Sequence, residues 1–476
     1  MDANVAPTPD TYPSATLTGD AMPQETLVPS PYVFVASRTY ATREGAMVRL
    51  VFDSLQAKTY RLPDYLGNLL ADFERLSGQA SDADMKLLSS KGLVCSDPQR
   101  LREEAYQRME AAASDEGSRV FVLLPTSFCN MGCEYCGQVH TRGTLSRNHR
   151  DAISHRITNA IRSDDTRAVS VRWFGGEPLM GFAQITALSD SLIPVADEVG
   201  VPYHSSIVTN GALLDSRKLS TLVHRCRVTE FHITIDGPQE IHDLHRPLKS
   251  GGASFSRLVN FLATATEEDQ YKRVKFVLRT NIDVKNCEYV SRYLDEMASK
   301  GFSGRRNVHF SLVPVRPWSN DVSALQINIK EYAQREVVWI QQMADLGLTQ
   351  LLMPTATKPM PCQAPNRGAE VVTSAGGVFS CTEHPLVPKH EKESILIPLS
   401  TLGATRKRPL GEFDSWPSEV SKGEVPCAQC WMLPVCGGSC PKMWHEGGMP
   451  CPSSKFNMDE RLSVFASRQG MTAVAP

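Results

Sequence analysis

From residue 119 to residue 313 the chain alternates short apolar runs with longer stretches whose apolar residues recur every three to four positions. The runs at 120–124, 168–173, 205–209, 229–235, 274–280 and 308–313 predict six strands. Each of the first five is followed by a loop and an amphipathic helical stretch, the pattern of parallel βα units. The fold class expected is therefore α/β, with a partial (β/α)6 barrel over 119–320. Such barrels gather their chemistry at the C-terminal ends of the strands. Upstream, strands are predicted at 32–35, 47–52 and 59–62. A helix follows over 63–77, with Leu66, Leu69, Leu70 and Phe73 on one face. Ser81 can cap a further short helix that ends near Lys91 and Gly92. A charged helix over 101–113 completes a small α+β unit and linker spanning 32–113.

Downstream, a bridging segment over 321–354 is predicted to be helical from 321 to 347. Residues 355–455 are rich in Cys, Gly and Pro and poor in periodicity, so bound metal is expected to hold them together. Residues 1–31, rich in Pro, Thr, Ser and Ala, read as a disordered tail, and 456–476 as a C-terminal tail. No internal repeat is evident.

Composition narrows the class. A formal charge of −2 gives no reason to expect nucleic acid or an anionic membrane as partner. No run of eighteen apolar residues occurs, and the N-terminus lacks a basic segment followed by an apolar one. Thirteen cysteines without a secretion signal point to a reducing compartment and metal binding rather than disulfides. A cytoplasmic metalloprotein is the expectation.

The cysteines are not scattered. Cys129, Cys133 and Cys136 follow the first predicted barrel strand with C-x3-C-x2-C spacing. Iron–sulfur cubanes normally take four cysteines. Three therefore leave one iron open to a substrate or cofactor, as an open position marks catalytic zinc. The second strand ends in Gly175-Gly176-Glu177-Pro178, where two glycines allow close backbone approach and a fixed carboxylate can take a cationic amine. Later strands end in Thr209-Asn210-Gly211, Thr234-Ile235-Asp236-Gly237 and Arg279-Thr280-Asn281. His242 and His245, three apart, invite a metal reading, but a hydrogen-bonded loop with Arg246 paired to a carboxylate is the expectation. His140 reads as a loop histidine and Ser250-Gly251-Gly252 as a turn.

A second cysteine group follows. Cys427, Cys430, Cys436 and Cys440 have C-x2-C-x5-C-x3-C spacing, with Cys451 beyond and Cys362 and Cys381 upstream. Zinc takes four ligands per site, and seven cysteines divide awkwardly between two such sites. Cys95, Cys226 and Cys287 fall outside both groups and are expected in the core.

Over about 119–455 these motifs resemble, in order and position, the radical S-adenosylmethionine (radical SAM) enzymes that carry a C-terminal SPASM domain, and are related to anaerobic sulfatase-maturating enzymes. The resemblance implies a 4Fe–4S cluster on Cys129, Cys133 and Cys136 that binds S-adenosylmethionine. Tyr135 stands at the family's aromatic position; Gly175, Gly176, Glu177, Asn210 and Arg279 are implied cofactor contacts. Two auxiliary 4Fe–4S clusters are implied, one on Cys362, Cys381 and Cys440 and one on Cys427, Cys430, Cys436 and Cys451. The first is one cysteine short, and its spacer offers only Asn366, Arg367 and Glu370. The implied activity is reductive cleavage of S-adenosylmethionine to a 5′-deoxyadenosyl radical. That radical would modify, by cross-linking, a residue of a ribosomally made precursor peptide or protein, with a reductase, flavodoxin or ferredoxin as electron donor. Residues 32–95 would either capture the peptide by β-addition or serve as a plain N-terminal cap on the barrel. The alternatives are a formylglycine maturase, against which Thr382 stands where that subgroup has an aspartate, and a multi-cluster electron carrier. The catalytic residue itself is not assigned.

Overall fold

The structure is a computed structural model that describes residues 27–318, 320–398, 401–402 and 407–474. The N-terminal tail lies outside the described residues as far as residue 26. Beyond it, β1 (Val28–Pro29) pairs antiparallel with β5 (Val94–Cys95), so the chain is ordered a few residues before the expected boundary.

The N-terminal unit is an antiparallel sheet of β2 (Val33–Ala41), β3 (Met47–Asp53) and β4 (Lys58–Pro63), backed by short helices. Leu66, Leu69 and Leu70 of the helix Asp64–Ala71 bury against Val51, Tyr60 and Leu62. The expected single helix over 63–77 breaks at Asp72, whose carboxylate takes the Arg75 guanidinium at 2.5 Å. Aspartate favours helix ends because its side chain competes for nearby backbone groups. Ser81 caps Asp82–Ser90 with a reciprocal capping box to Asp84.

The barrel strands fall where the apolar runs place them. They are β6 (Ser118–Leu123), β7 (Ala168–Trp173), β8 (Tyr203–Thr209), β9 (Val228–Thr234), β10 (Lys275–Ile282) and β11 (Val308–Pro314), all parallel and side by side in that order. Strands covered on both faces read as continuous apolar runs, which is why they stand out in sequence. The helix Phe182–Val199, with the turn before it, is long and apolar enough to cross a membrane. Ile185, Leu188, Leu192 and Ala196 are nevertheless packed into the barrel core.

Three segments depart from expectation. The sheet has eight strands, because β12 (Ala369–Val372) adds parallel to β6 and β13 (Val378–Phe379) pairs antiparallel with β12. Part of the cysteine-rich segment is thus built into the barrel and does not depend on metal alone. Four residues, all buried, are too few for a periodicity to show. The bridging helix is shorter than expected, Ile329–Asp345. The expected C-terminal tail contains the helix Met458–Arg468, which buries Met458, Leu462, Val464 and Ala466. Asn457 and Arg461 clamp it to Glu336 of Ile329–Asp345 at 2.9 and 2.6 Å. β14 (Thr472–Ala473) then covers the free edge of β2.

A buried ion cluster joins the added strand to the barrel. Glu370 on β12 accepts two hydrogen bonds from Arg156, at 2.7 and 2.8 Å, and lies 3.4 Å from Arg119 on β6. Removing one partner of a buried pair strands the remaining charge. Glu370→Ala is therefore expected to lower stability by about 3–5 kcal/mol, read as a shifted midpoint in urea unfolding of the full chain.

Candidate functional site

The loop after β6 crosses the C-terminal mouth of the sheet. Cys129, Cys133 and Cys136 line one cavity of about 260 Å³ with Gly175, Gly176, Asn210, Arg279 and Asn281 from the later strands and the loops at their ends, and with Arg246, which follows the helix Gln239–His245. Tyr135, Arg316, Trp318 and Glu383 complete much of its wall. Burial pushes the Cys129 thiol up to about 11, with Glu177 and the other two thiols adding to the rise. Burial also raises Cys133 and Cys136. Metal loading here must displace protons.

The glycine pair fits against the cysteine loop itself. A Cβ on Gly176 would stand 2.5 Å from the Phe128 carbonyl, and Gly175 has φ +120° with the Thr126 carbonyl 2.9 Å from any Cβ. Only glycine lets the two backbones pack this closely while still facing the cavity. Glu177 is turned away from the cavity. Its fully buried carboxylate accepts from Leu179 N at 2.9 Å, Thr209 Oγ1 at 2.6 Å and Asn210 N at 2.7 Å. Its own N–H donates to the Phe128 carbonyl at 2.9 Å. Asn210 in turn donates to Asn130 Oδ1 at 2.8 Å and to Cys129 Sγ at 3.9 Å. Arg279 reaches the wall with its Nε on Asn281 Oδ1 at 2.9 Å.

Tyr135 is held from below by a polar network that the sequence reading named only in pieces. Its hydroxyl donates to Asp236 Oδ2 at 2.6 Å, accepts from Asn281 Nδ2 at 3.0 Å and is also bonded by Arg246. Arg246 pairs with Asp236 at 3.2 Å, as expected of this loop. His245 bridges Asp236 and Asp283 at 3.2 and 2.8 Å. His242 is an acceptor for the Asp236 N–H at 3.2 Å, and burial holds it down at about 4. The two histidines are thus network members rather than metal ligands. Burial likewise lowers His140 to about 4 on the cavity wall.

Seven of the ten remaining cysteines fall into two groups. Cys427, Cys430, Cys436 and Cys451 line one small pocket together with Lys455. Burial and then the neighbouring thiols push Cys427 up to about 12. For Cys381, burial acts first and the Glu383 carboxylate next to raise it far above the ordinary thiol range; the same carboxylate acts, after burial, on Cys362 and Cys440. Among the described residues no three His, Cys, Asp or Glu side chains close to the spacing of a single metal ion. The spacer residues are otherwise engaged: Glu370 in its ion cluster, Asn366 on Ala112 O at 2.8 Å and Arg367 on Asp414 at 2.6 Å. Arg316, Trp318 and Glu383 were not singled out as cavity residues from sequence. Arg316 and Trp318 follow the sixth strand, so the strand-end rule carried one strand further finds them. Cys226 and Cys287 are core residues and Cys95 lies on β5.

Residues 123–278 match the family model described as Radical SAM superfamily. The chain is 26% identical over 357 residues to a serine-type anaerobic sulfatase-maturating enzyme of Bacteroides thetaiotaomicron, covering 66% of this chain and 80% of that one. It is 25% identical over 207 residues to the radical SAM cyclopropyl synthase TigE of Paramaledivibacter caminithermalis, covering 40% of this chain and 42% of the synthase. The solved structure of native anSMEcpe with bound AdoMet and Cp18Cys peptide has TM-score 0.51 at 17% identity, covering 74% of this chain and 97% of that one; this likeness is one of fold.

The His245 bridge gives a pH dependence with a definite sign. Burial works against the imidazolium, but the hydrogen bonds to Asp236 and Asp283 outweigh it and raise His245 to about 9. A raised folded-state value means the stabilisation is whole below about pH 6.5, the ordinary histidine value, and is lost as pH climbs through about 9. Melting temperature of the native chain is expected to fall across that window, and the fall is expected to flatten in His245→Gln.

Proposed function

The chain carries a radical SAM domain and is an enzyme related to sulfatase maturases and peptide-modifying enzymes, and from this premise we propose that it reductively cleaves S-adenosylmethionine to modify a residue within a ribosomally made peptide or protein. The observation that carries the reading is the convergence of Cys129, Cys133 and Cys136 with the Gly175–Gly176 backbone on one cavity at the strand ends. The family implies a 4Fe–4S cluster and S-adenosylmethionine, and the residues fit both. Three thiols on one short loop suit a cubane with an open iron, and polar strand ends face them. When bound, these groups supply one-electron cleavage of a sulfonium and, through it, hydrogen abstraction from an unactivated carbon.

The chain's residues have the following roles in this reading. Cys129, Cys133 and Cys136 hold the iron. Glu177 pins the cysteine loop to β8, and Asn210 orients Cys129. Gly175 and Gly176 present their backbone to the methionine part of the cofactor, with Arg279 and Asn281 on the opposite wall. Phe174, Val208, Val315 and Trp318 are the wall residues that exclude water. Glu177, expected to take the cofactor amine, acts from behind the glycine pair instead. Cys362, Cys381 and Cys440, and the quartet Cys427, Cys430, Cys436 and Cys451, hold auxiliary clusters in a SPASM-type domain. The quartet fits such a cluster, since its four thiols line a single pocket. Once loaded, these cysteine sets would offer an acceptor for the electron left on the substrate after a hydrogen atom is abstracted, and a flavodoxin, ferredoxin or reductase would supply the separate electron that cleaves the cofactor.

The bond formed is a cross-link from a side-chain carbon. The N-terminal sheet supports a peptide substrate: β14 covers its β2 edge, while β4 has a pairing partner only on its β3 side among the described residues. An extended peptide can add to such an edge. A second reading, formylglycine formation, is favoured by the sulfatase-maturating relative, though Thr382 follows Cys381 here.

The test is anaerobic reconstitution, then assay of 5′-deoxyadenosine after S-adenosylmethionine and dithionite. The native chain is expected to form it with about twelve irons per chain. Cys129, Cys133 and Cys136 replaced together by Ala should abolish it while leaving auxiliary iron in place. Retained cleavage in that variant would sink the assignment. With a peptide substrate, loss of two hydrogens without fragmentation between the joined residues marks a cross-link, and an aldehyde marks formylglycine.

A further inference from the structure

The two auxiliary cysteine sets share Arg316 and Lys358 as cationic neighbours and differ in one charge each, Lys455 at the quartet and Glu383 at the trio. Lys455, at the end of the short turn Ser453–Lys455, lines the pocket of the quartet itself and places its Nζ 3.8 Å from Cys451 Sγ. Nothing in the cavity at the strand ends calls for this ammonium; it is directed onto sulfur. The same cysteine is fixed by its backbone, since Arg316 on the cavity wall donates to the Cys451 carbonyl at 3.0 Å. Lys358 lies close to both sets, to Cys362 of the trio and to Cys436 of the quartet, and so does not distinguish them. The trio has Glu383, whose N–H donates to Cys381 Sγ at 3.4 Å and whose carboxylate faces the cavity. Of the other cations near the trio, Lys442 is paired with Glu446 at 2.7 Å, and Arg316 acts on Cys440 and Cys451 alike and so does not distinguish the sets.

Charge and hydrogen bonds at the ligand sulfurs are among the terms that set a cluster's potential. Reduction adds one negative charge, which a nearby ammonium stabilises and a nearby carboxylate opposes. We propose that Lys455 tunes the quartet cluster to a higher reduction potential than the trio cluster. With both sets loaded, an electron on the trio would then pass to the quartet. Lys455 acts through the cluster and is a tuning residue, not a catalytic one. The proposal rests on the reading that the quartet holds a 4Fe–4S cluster. The step it describes is a one-electron exchange between clusters, with dithionite as the reductant in the test.

The experiment uses the full chain with Cys129, Cys133 and Cys136 replaced by Ala, so that only the auxiliary clusters load. Its paramagnetic signals are followed in a redox titration, and the quartet signal is identified as the one lost in Cys451→Ala. Lys455→Met is expected to disfavour the reduced quartet cluster at least tenfold, a shift of about 59 mV to lower potential for a one-electron couple. The trio signal should stay in place, and Lys455→Arg should keep the native potential. An unmoved quartet signal, or both signals moving together, overturns the proposal. If Cys427, Cys430, Cys436 and Cys451 replaced together by Ala remove neither signal nor iron, the quartet holds no cluster and the reading beneath the proposal falls with it. If Cys451→Ala fails to fold, Cys451→Ser makes the same assignment by altering the signal.

Discussion

The buried Glu177 carboxylate is the joint on which the site depends. One short segment after β7 receives the cysteine loop through Phe128 and grips the end of β8 through Thr209 and Asn210. A carboxylate without solvent is costly unless its lone pairs are met. Here three donors meet it, and hydrogen bonds to charged groups contribute about 1.5–3 kcal/mol each. Two of those donors come from the end of β8 and one from the turn that follows Glu177, so satisfying the charge and fixing the geometry are the same event. The glycine pair allows the joint to close, because a side chain at Gly176 would strike the Phe128 carbonyl. Asp236 performs the matching task on the other side of the loop, through Tyr135 and Arg246.

Much of the barrel was legible because parallel strands buried on both faces are written as unbroken apolar runs, and all six fell where those runs stand. What escaped notice was short or depended on distant partners. Val371 and Val372 extend the sheet only because β6 offers an edge, a fact invisible in four residues. The helix Met458–Arg468 has a mixed inner face, since Arg461 is buried by virtue of Glu336 more than a hundred positions earlier. A polar residue whose partner lies that far away reads locally as surface. The break at Asp72 shows the converse, a local preference that periodicity alone concealed.

The site divides in the same way. That Cys129, Cys133 and Cys136 meet on one cavity was legible because their spacing is local, and the strand ends because barrel topology assigns them a place. The direction of the side chains was not. Glu177 stood in the right loop, but the sequence does not state that its carboxylate turns back toward Asn210 rather than forward into the cavity. Tyr135 drew attention by resemblance, whereas its anchoring by Asp236, Arg246 and Asn281 comes from three separate strand ends and loops. The motif His242-Asp243-Leu244-His245-Arg246 was readable as a polar loop. That His245 would sit between two aspartates required knowing that Asp283 lies beside it.

The quartet also bears on how the N-terminal unit is seated. Trp431, directly after Cys430, packs 5.0 Å from Phe34 of β2 and 6.4 Å from Phe52 of β3. Ser54 bonds the Trp431 carbonyl, and Tyr106 of the linker helix donates to the Ala428 carbonyl at 2.8 Å. The floor beneath the N-terminal sheet is thus the cysteine loop itself, a stretch with one four-residue helix and little other regular structure. Where ligand residues dominate a segment, its free energy of ordering is supplied largely by what they bind. A loop shaped by bound iron would therefore carry its shape into Trp431 and on to β2 and β3. Those two strands also fix the position of β4. On this arrangement the pocket lined by the quartet and the strands β2 and β3 lie against one packed interface, to which β4 is tied through its pairing with β3.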